Sequence, residues 1–146
     1  MSANVLDTSG TVDFKTGSGT VNFGKVIVRG GSYVESTAVP MAISQGLELL
    51  GGTYVNLNPI VVGQNVGNNL VLGGGQFSNS PTLTVKNNGS LSVTGGSYSF
   101  STLKKETGTL TNAGMLSVSN FNQSTGKAST PGTLHIGTDN IVGSWT

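Results

Sequence analysis

Leu91-Ser92-Val93-Thr94-Gly95-Gly96-Ser97-Tyr98 decides the fold, because the chain writes it out again and again. Val26-Ile27-Val28-Arg29-Gly30-Gly31-Ser32-Tyr33, Leu47-Glu48-Leu49-Leu50-Gly51-Gly52-Thr53-Tyr54 and Leu70-Val71-Leu72-Gly73-Gly74-Gly75-Gln76-Phe77 have the same form. Each runs apolar-x-apolar-x, then a glycine corner, then a polar residue and an aromatic. The four aromatics, Tyr33, Tyr54, Phe77 and Tyr98, are therefore nearly evenly spaced. Weaker copies lead on to Phe121 and Trp145, and Phe14, slightly less than one such step before Tyr33, is placed to start the series. Seven of the nine aromatics then share one period, which predicts a structural column of rings. A period of about 20–25 residues is the mark of a repeat array. One such repeat cannot bury its apolar face alone, whereas stacked copies can, each touching only its neighbours.

Composition agrees with a β-protein rich in tight turns. Glycine accounts for 23 residues and charged residues for only 9%, against about 25% in ordinary domains. Low charge with many Ser, Thr, Asn and Gly is also found in disordered chains. Here, however, Val, Ile and Thr are abundant and regularly placed, as strands require. The net charge is +1, and only Lys104 and Lys105 are adjacent cations, so the basic stripe of a nucleic-acid binder is missing. No cysteine is present, which excludes a disulfide framework and thiolate metal ligands. Met1–Asp7 lacks the basic segment and apolar run of a secretory signal. No apolar run approaches the roughly 18 residues of a membrane span. The expected partners are therefore neither nucleic acid nor membrane.

In chain order, residues 1–10 are polar with scattered apolar positions and are expected to form an N-terminal arm. Residues 11–146 are expected to form a single solenoid domain. Thr11-Val12-Asp13-Phe14 and Thr20-Val21-Asn22-Phe23 alternate with period two, as half-buried strands do, around the turn Lys15-Thr16-Gly17-Ser18-Gly19. From there each repeat offers three short strands. The corner pairs Gly30-Gly31, Gly51-Gly52, Gly74-Gly75 and Gly95-Gly96 suit a bend that needs positive φ, which glycine adopts without penalty. Asn87, Asn88, Asn112 and Asn140 tolerate the same region at turns. Pro40, Pro59, Pro81 and Pro131 fall between strands, where a missing ladder donor does no harm. Residues 38–50 could begin a helix, but Gly46 and the match of Leu47–Tyr54 to the consensus favour strands. The expected fold is all-β: a short parallel β-solenoid of about six coils, on the order of 29 Å tall at one strand spacing per coil. A β-sandwich or jelly roll is the alternative, since both give many short strands at regular spacing.

Catalytic signatures are missing. The acids Asp7, Asp13, Glu35, Glu48, Glu106 and Asp139 are dispersed. The period places Glu48 over Ile27, and of the acids only Asp13 and Glu35, one period apart, are candidates for stacking. Paired carboxylates for sugar hydrolysis must flank one bond. His135, the one histidine, alternates outward between Leu134 and Ile136. No Gly-x-Ser-x-Gly elbow is visible, and Gly73-Gly74-Gly75 lacks the lysine and the helix of a phosphate loop. No enzyme, metal or cofactor is expected. The rings themselves have two readings: a core column, or sugar-stacking platforms on an outer face.

The coil pattern, clearest in Gly108-Thr109-Leu110-Thr111-Asn112-Ala113-Gly114-Met115-Leu116-Ser117-Val118, resembles the right-handed parallel β-helix proteins. These include pectate-lyase-like enzymes, autotransporter passengers and bacteriophage tailspikes. The likeness spans roughly residues 11–146 and specifies shape rather than activity. The lyase-like enzymes use clustered acids that hold calcium together with a basic catalytic residue, and no such set is recognisable here. Uncovered end coils invite aggregation, so cover from other subunits is expected. The functional expectation is a non-enzymatic virion structural protein that decorates or cements a phage capsid. Its partners would be itself, as a homo-oligomer with a trimer as one candidate, and the larger capsid assembly. The alternatives are a receptor- or glycan-binding spike or fibre module, a polysaccharide-degrading β-helix fragment, and an adhesin fragment at a bacterial cell surface.

Overall fold

The structure is a computed structural model that describes residues 2–13, 21–34, 41–55, 59–125, 127–141 and 144–145. Among them every regular element is a strand: β1 (Ser2–Thr8), β2 (Thr11–Asp13), β3 (Val21–Val28), β4 (Ser32–Val34), β5 (Met41–Leu49), β6 (Thr53–Val55), β7 (Ile60–Val62), β8 (Asn69–Leu72), β9 (Gln76–Phe77), β10 (Thr82–Val85), β11 (Ser90–Val93), β12 (Ser97–Lys105), β13 (Thr109–Asn112), β14 (Met115–Gln123), β15 (Lys127–Ser129), β16 (Thr133–Ile141) and β17 (Ser144–Trp145). They form three sheets, ordered β1-β3-β5-β8-β11-β13-β15-β17, β16-β14-β12-β10-β7 and β2-β4-β6-β9. Paired strands run parallel throughout, as in β4 with β6 and β12 with β14. Parallel neighbours cannot be joined by a hairpin. Each must come from a successive winding, so the chain is a β-solenoid of about six coils, and the sandwich alternative is excluded. Residues 41–49 are strand, not helix.

The register gives the length of each winding. Val26, Leu47, Leu70, Leu91, Leu110 and Ala128 lie one above another. The step along this column is longest from Leu47 to Leu70 and then shrinks at every winding, to its shortest from Leu110 to Ala128. The coil therefore tightens towards the C-terminus. All six side chains are buried, none more than 1% exposed. Strand alternation does this: inward positions of β13 and β14 are buried while most outward ones are exposed. In β12 and β14 the inward positions skip from Phe100 to Leu103 and from Val118 to Phe121. The ladder misses a pair at Ser101 and Ser119, so each long strand turns a corner and lines two faces of the coil.

Tightening of the coil also corrects the aromatic series. Tyr33, Tyr54, Phe77 and Tyr98 stand in single file. Tyr33 and Tyr54 are stacked at 5.0 Å and 24°, Phe77 meets Tyr54 edge-on at 5.8 Å, and Tyr98 meets Phe77 edge-on at 6.2 Å. The next winding is shorter and closes early, so Leu116 rather than Phe121 pairs with Tyr98. Phe121 instead continues a second column, Ile60-Leu83-Leu103-Phe121. Trp145 pairs with Ala128 in the first sheet, at the register position of the aliphatic column. Phe14 lies outside the described residues, and Val12 holds the position beneath Tyr33.

The corner glycines divide into two duties. Gly31, Gly52 and Gly96 have φ of +67°, +70° and +78°, a region closed to most L-residues. Gly51 lacks positive φ but has no room, because a Cβ there would strike the Arg29 carbonyl of the coil below. The Gly74-Gly75 corner departs from the expected conformation. Neither has positive φ, and at Gly75 a Cβ would lie 2.6 Å from Leu49 Cδ1. Residues 1–10 also differ from expectation. As far as they are described, they are part of the solenoid: Ser2–Thr8 is β1, the edge strand of the first sheet, paired along its length with β3.

Candidate functional site

The polar side chains fall into three groups: an outer lattice, an interior set near the C-terminal coils, and a groove at one corner. On the outside of the first sheet, Asp7 accepts two hydrogen bonds from Arg29 Nε, at 2.9 and 3.1 Å. This pairing and its charge raise the Arg29 pKa further. One coil on, Lys25 pairs with Glu48. Ile27 pairs with Asp7 on one side and Glu48 on the other, so it lies between the two ion pairs. These partly exposed pairs contribute little to stability. Asp13 pairs with Val34 rather than with Glu35, which lies outside the described residues. His135 is exposed on β16, opposite Ser117. Among the described residues no three His, Cys, Asp or Glu side chains converge on a metal position.

Inside the C-terminal coils the aliphatic columns give way to polar residues. Asn112 continues Leu49-Leu72-Val93 and is fully buried. Its amide donates to the Thr133 carbonyl at 2.9 Å and accepts from the Gly114 N–H at 3.1 Å. It therefore closes the corner through its side chain, not through a left-handed backbone. Asn87 and Asn88 do take that backbone, at φ +53° and +59°, as their turn position predicts. Lys105 continues Val62-Val85 and is 1% exposed. Its Nζ donates to the Thr125 carbonyl at 2.7 Å, and burial lowers its pKa. Gln123 is buried directly above it. Burial likewise pushes the Tyr98 hydroxyl up, opposed in part by the nearby Gly74 backbone. That hydroxyl makes no well-aligned hydrogen bond among the described residues, so the opposing contact is a close approach only.

The groove arises from a register shift. Phe23 pairs with Ile43 but Lys25 pairs with Gly46, so Ser44 and Gln45 on β5 oppose the single residue Gly24 on β3. A β-bulge of this kind bends its strand and leaves the ladder open locally. The result is an open groove of about 460 Å³, lined by Asn4, Asn22, Gly24, Ser44, Gln45 and Gln64 among others. Across Gln45 and Gly46 a smaller groove of about 210 Å³ continues to Lys25, Glu48 and Asn69.

The rings whose side chains are described pack in or against the core. Tyr33, Tyr54, Tyr98, Phe23, Phe100 and Phe121 are each at most 4% exposed, and Phe77 packs against the same core. Sequence reasoning missed the buried Lys105 and the groove, although both left a trace. Lys105 has the same parity as Leu103, two positions before it. The apolar step from Ile43 to Leu47 is one position longer than the step from Phe23 to Val26.

No known protein-family model, curated protein or solved structure matches this chain.

Proposed function

We propose that this chain is a non-enzymatic structural protein of a phage virion, decorating or cementing the capsid as a homo-oligomer. It would be made in the host cytoplasm and act on the virion. The observation that carries this reading is where the aromatic and charged side chains go. Six rings, Phe23, Tyr33, Tyr54, Tyr98, Phe100 and Phe121, are buried in the core and Phe77 packs against it, and the ion pairs on the first sheet tie up Asp7, Arg29, Lys25 and Glu48. What faces outward is mostly Ser, Thr and Asn in straight rows, such as Ser90-Thr109 and Ser92-Thr111-Ser129. Such faces suit broad, flat contact with another protein better than the enclosure of a substrate, which needs a concave site with convergent polar groups. The right-handed β-helix resemblance fits the virion setting. Binding only the assembled capsid would stabilise that state by mass action.

The direct test is cosedimentation of the purified chain with expanded and unexpanded capsids from the phage that encodes it, with subunit count read by light scattering. Saturable binding to expanded shells, with a raised shell melting temperature, supports the proposal. A monomer that binds neither form contradicts it. Burial of Tyr33, Tyr54 and Tyr98 favours the core-column reading of these rings over sugar platforms.

A further inference from the structure

We propose that Asn88-Gly89 is a self-modification site, at which the Asn88 amide is lost and the main chain of one coil corner is lengthened. This goes beyond the structural role above and does not depend on it. Asn88 is the one asparagine in the chain followed by glycine. Other exposed asparagines, such as Asn68, Asn69 and Asn79, precede residues whose side chains crowd the following backbone nitrogen. Gly89 has no side chain, and the stack requires this: a Cβ there would lie 3.0 Å from Gly63 N and from the Val62 carbonyl carbon, both in the coil below.

The chemistry needs only water. Gly89 N attacks Asn88 Cγ, a new N–C bond forms, the Cγ–Nδ2 bond breaks, and ammonia leaves with the proton of the Gly89 N–H. Water then opens the five-membered imide that results. Breaking the new bond gives aspartate. Breaking the bond from Gly89 N to the main-chain carbonyl carbon of Asn88 gives isoaspartate. In isoaspartate the main chain runs through Cβ and Cγ and gains one carbon.

Local geometry sets both the opportunity and the pace. The Asn88 side chain is exposed and has no hydrogen-bond partner among the described residues, so its Cγ can swing towards Gly89 N. The nitrogen itself is held. Lys86–Gly89 is a turn whose central residues both have positive φ, +53° at Asn87 and +59° at Asn88, the type I′ pattern. Gly89 N–H donates to the Lys86 carbonyl across it at 2.9 Å, and the Asn87 amide braces it by donating to the Gly63 carbonyl at 3.0 Å. Attack therefore waits on local opening of the turn, which needs far less free energy than global unfolding. The product matters because this corner is packed between two others. The Gly89 carbonyl accepts from Thr109 N–H at 3.0 Å, and Ser90 N–H donates to the Asn68 carbonyl at 2.7 Å. Both bonds lead into the ladder β8-β11-β13. A Cβ at Gly63 would strike the Lys86 carbonyl, and one at Gly108 would strike the Gly89 carbonyl. With no room for an added carbon, isoaspartate here displaces the start of β11 and loosens the first sheet near its middle.

The test incubates the folded full chain at neutral pH beside the same chain in urea. Products are mapped by peptide mass spectrometry, with fragmentation that separates aspartate from isoaspartate. In the folded chain Asn88 is expected to convert ahead of every other asparagine, and more slowly than in urea. Asn87→Ala removes a brace of the closed turn and is expected to speed conversion of the folded chain about fivefold, the shift that one lost hydrogen bond gives. Asn88→Asp supplies the charge without the added carbon and is expected to melt as the parent does. The isoaspartate fraction, separated by chromatography, is expected to melt lower. The proposal is overturned if Asn88 stays intact in the folded chain over an incubation many times longer than the one that converts it in urea. It is also overturned if Asn68, Asn69 or Asn79 converts as fast, if Asn87→Ala leaves the rate unchanged, or if the isoaspartate fraction melts with the parent. Capsid binding has no part in these readouts, so failure here leaves the capsid reading intact.

Discussion

Replacing Tyr54 by leucine removes the centre of the ring file while keeping an apolar side chain in its place. Tyr54 is 1% exposed, stacked on Tyr33 at 5.0 Å and met edge-on by Phe77 at 5.8 Å. Each such ring pair contributes about 0.5–1.5 kcal/mol beyond burial, so losing two costs about 1–3 kcal/mol. Truncation to alanine adds the cavity and should reach about 3–5 kcal/mol. Against a total stability of about 5–15 kcal/mol, either change is large. Urea unfolding followed by circular dichroism measures it, with the slope compared between variants so that a change in midpoint can be read as stability. A double-mutant cycle then localises the effect. Tyr33→Leu with Tyr54→Leu should show coupling of about 0.5–1.5 kcal/mol. Phe121 sits in another column, with Leu103, Leu83 and Ile60 beneath it. Its leucine variant should therefore add to Tyr54→Leu within about 0.5 kcal/mol. A cost below about 0.5 kcal/mol for Tyr54→Leu would refute the reasoning, since it is under the least that one lost ring pair should cost. Equal coupling of Tyr54 to Tyr33 and to Phe121 would refute it too.

The two duties of the corner glycines separate by mutation. In Gly96→Ala the nearest atom to the new Cβ is on the Tyr98 ring at 3.3 Å, so the cost is mainly the left-handed backbone, about 1–2 kcal/mol. Gly51→Ala must instead move the Arg29 carbonyl and its coil, and thermal unfolding should show a larger loss than for Gly96→Ala. Lys105 predicts a pH dependence. Its folded pKa is lowered by burial, so the unfolded chain binds more protons and stability rises with pH. The rise should span the interval from the folded pKa to the unfolded value near about 10.4. Below that interval the full penalty of a buried ammonium applies. Lys105→Met, compared with the parent by urea unfolding at several alkaline pH values, should lack this part of the slope.

Much of the fold was legible because it is written as period. The consensus from Val26 to Tyr98 carried the strands, the corners and the file Tyr33-Tyr54-Phe77-Tyr98. The extrapolation failed where the period itself shortens. Tyr98 pairs with Leu116, and a step held at its earlier length carried the count past Leu116 to Phe121 and then to Trp145. Ser2–Thr8 read as an arm because it contains few apolar residues. Its pairing comes from backbone hydrogen bonds to β3, with Leu6 packed on the core, and backbone bonding leaves no compositional trace. The Gly-Gly corners looked alike in sequence, yet a glycine forced by φ and one forced by a carbonyl overhead cannot be told apart without the neighbouring coil. The groove depends on one extra residue between Ile43 and Leu47, a signal visible only once β3 and β5 are known to pair.

The central claim is parallel stacking of successive windings in one register, and NMR contacts between the rings test it most directly. With the Phe and Tyr rings isotope-labelled, NOEs are predicted from Tyr33 to Tyr54, Tyr54 to Phe77, and Phe77 to Tyr98, with the Leu116 methyls on Tyr98 next in line. Strong Hα–Hα contacts between neighbouring strands, which belong to antiparallel pairs, together with no ring-to-ring NOEs along that file, would contradict the account.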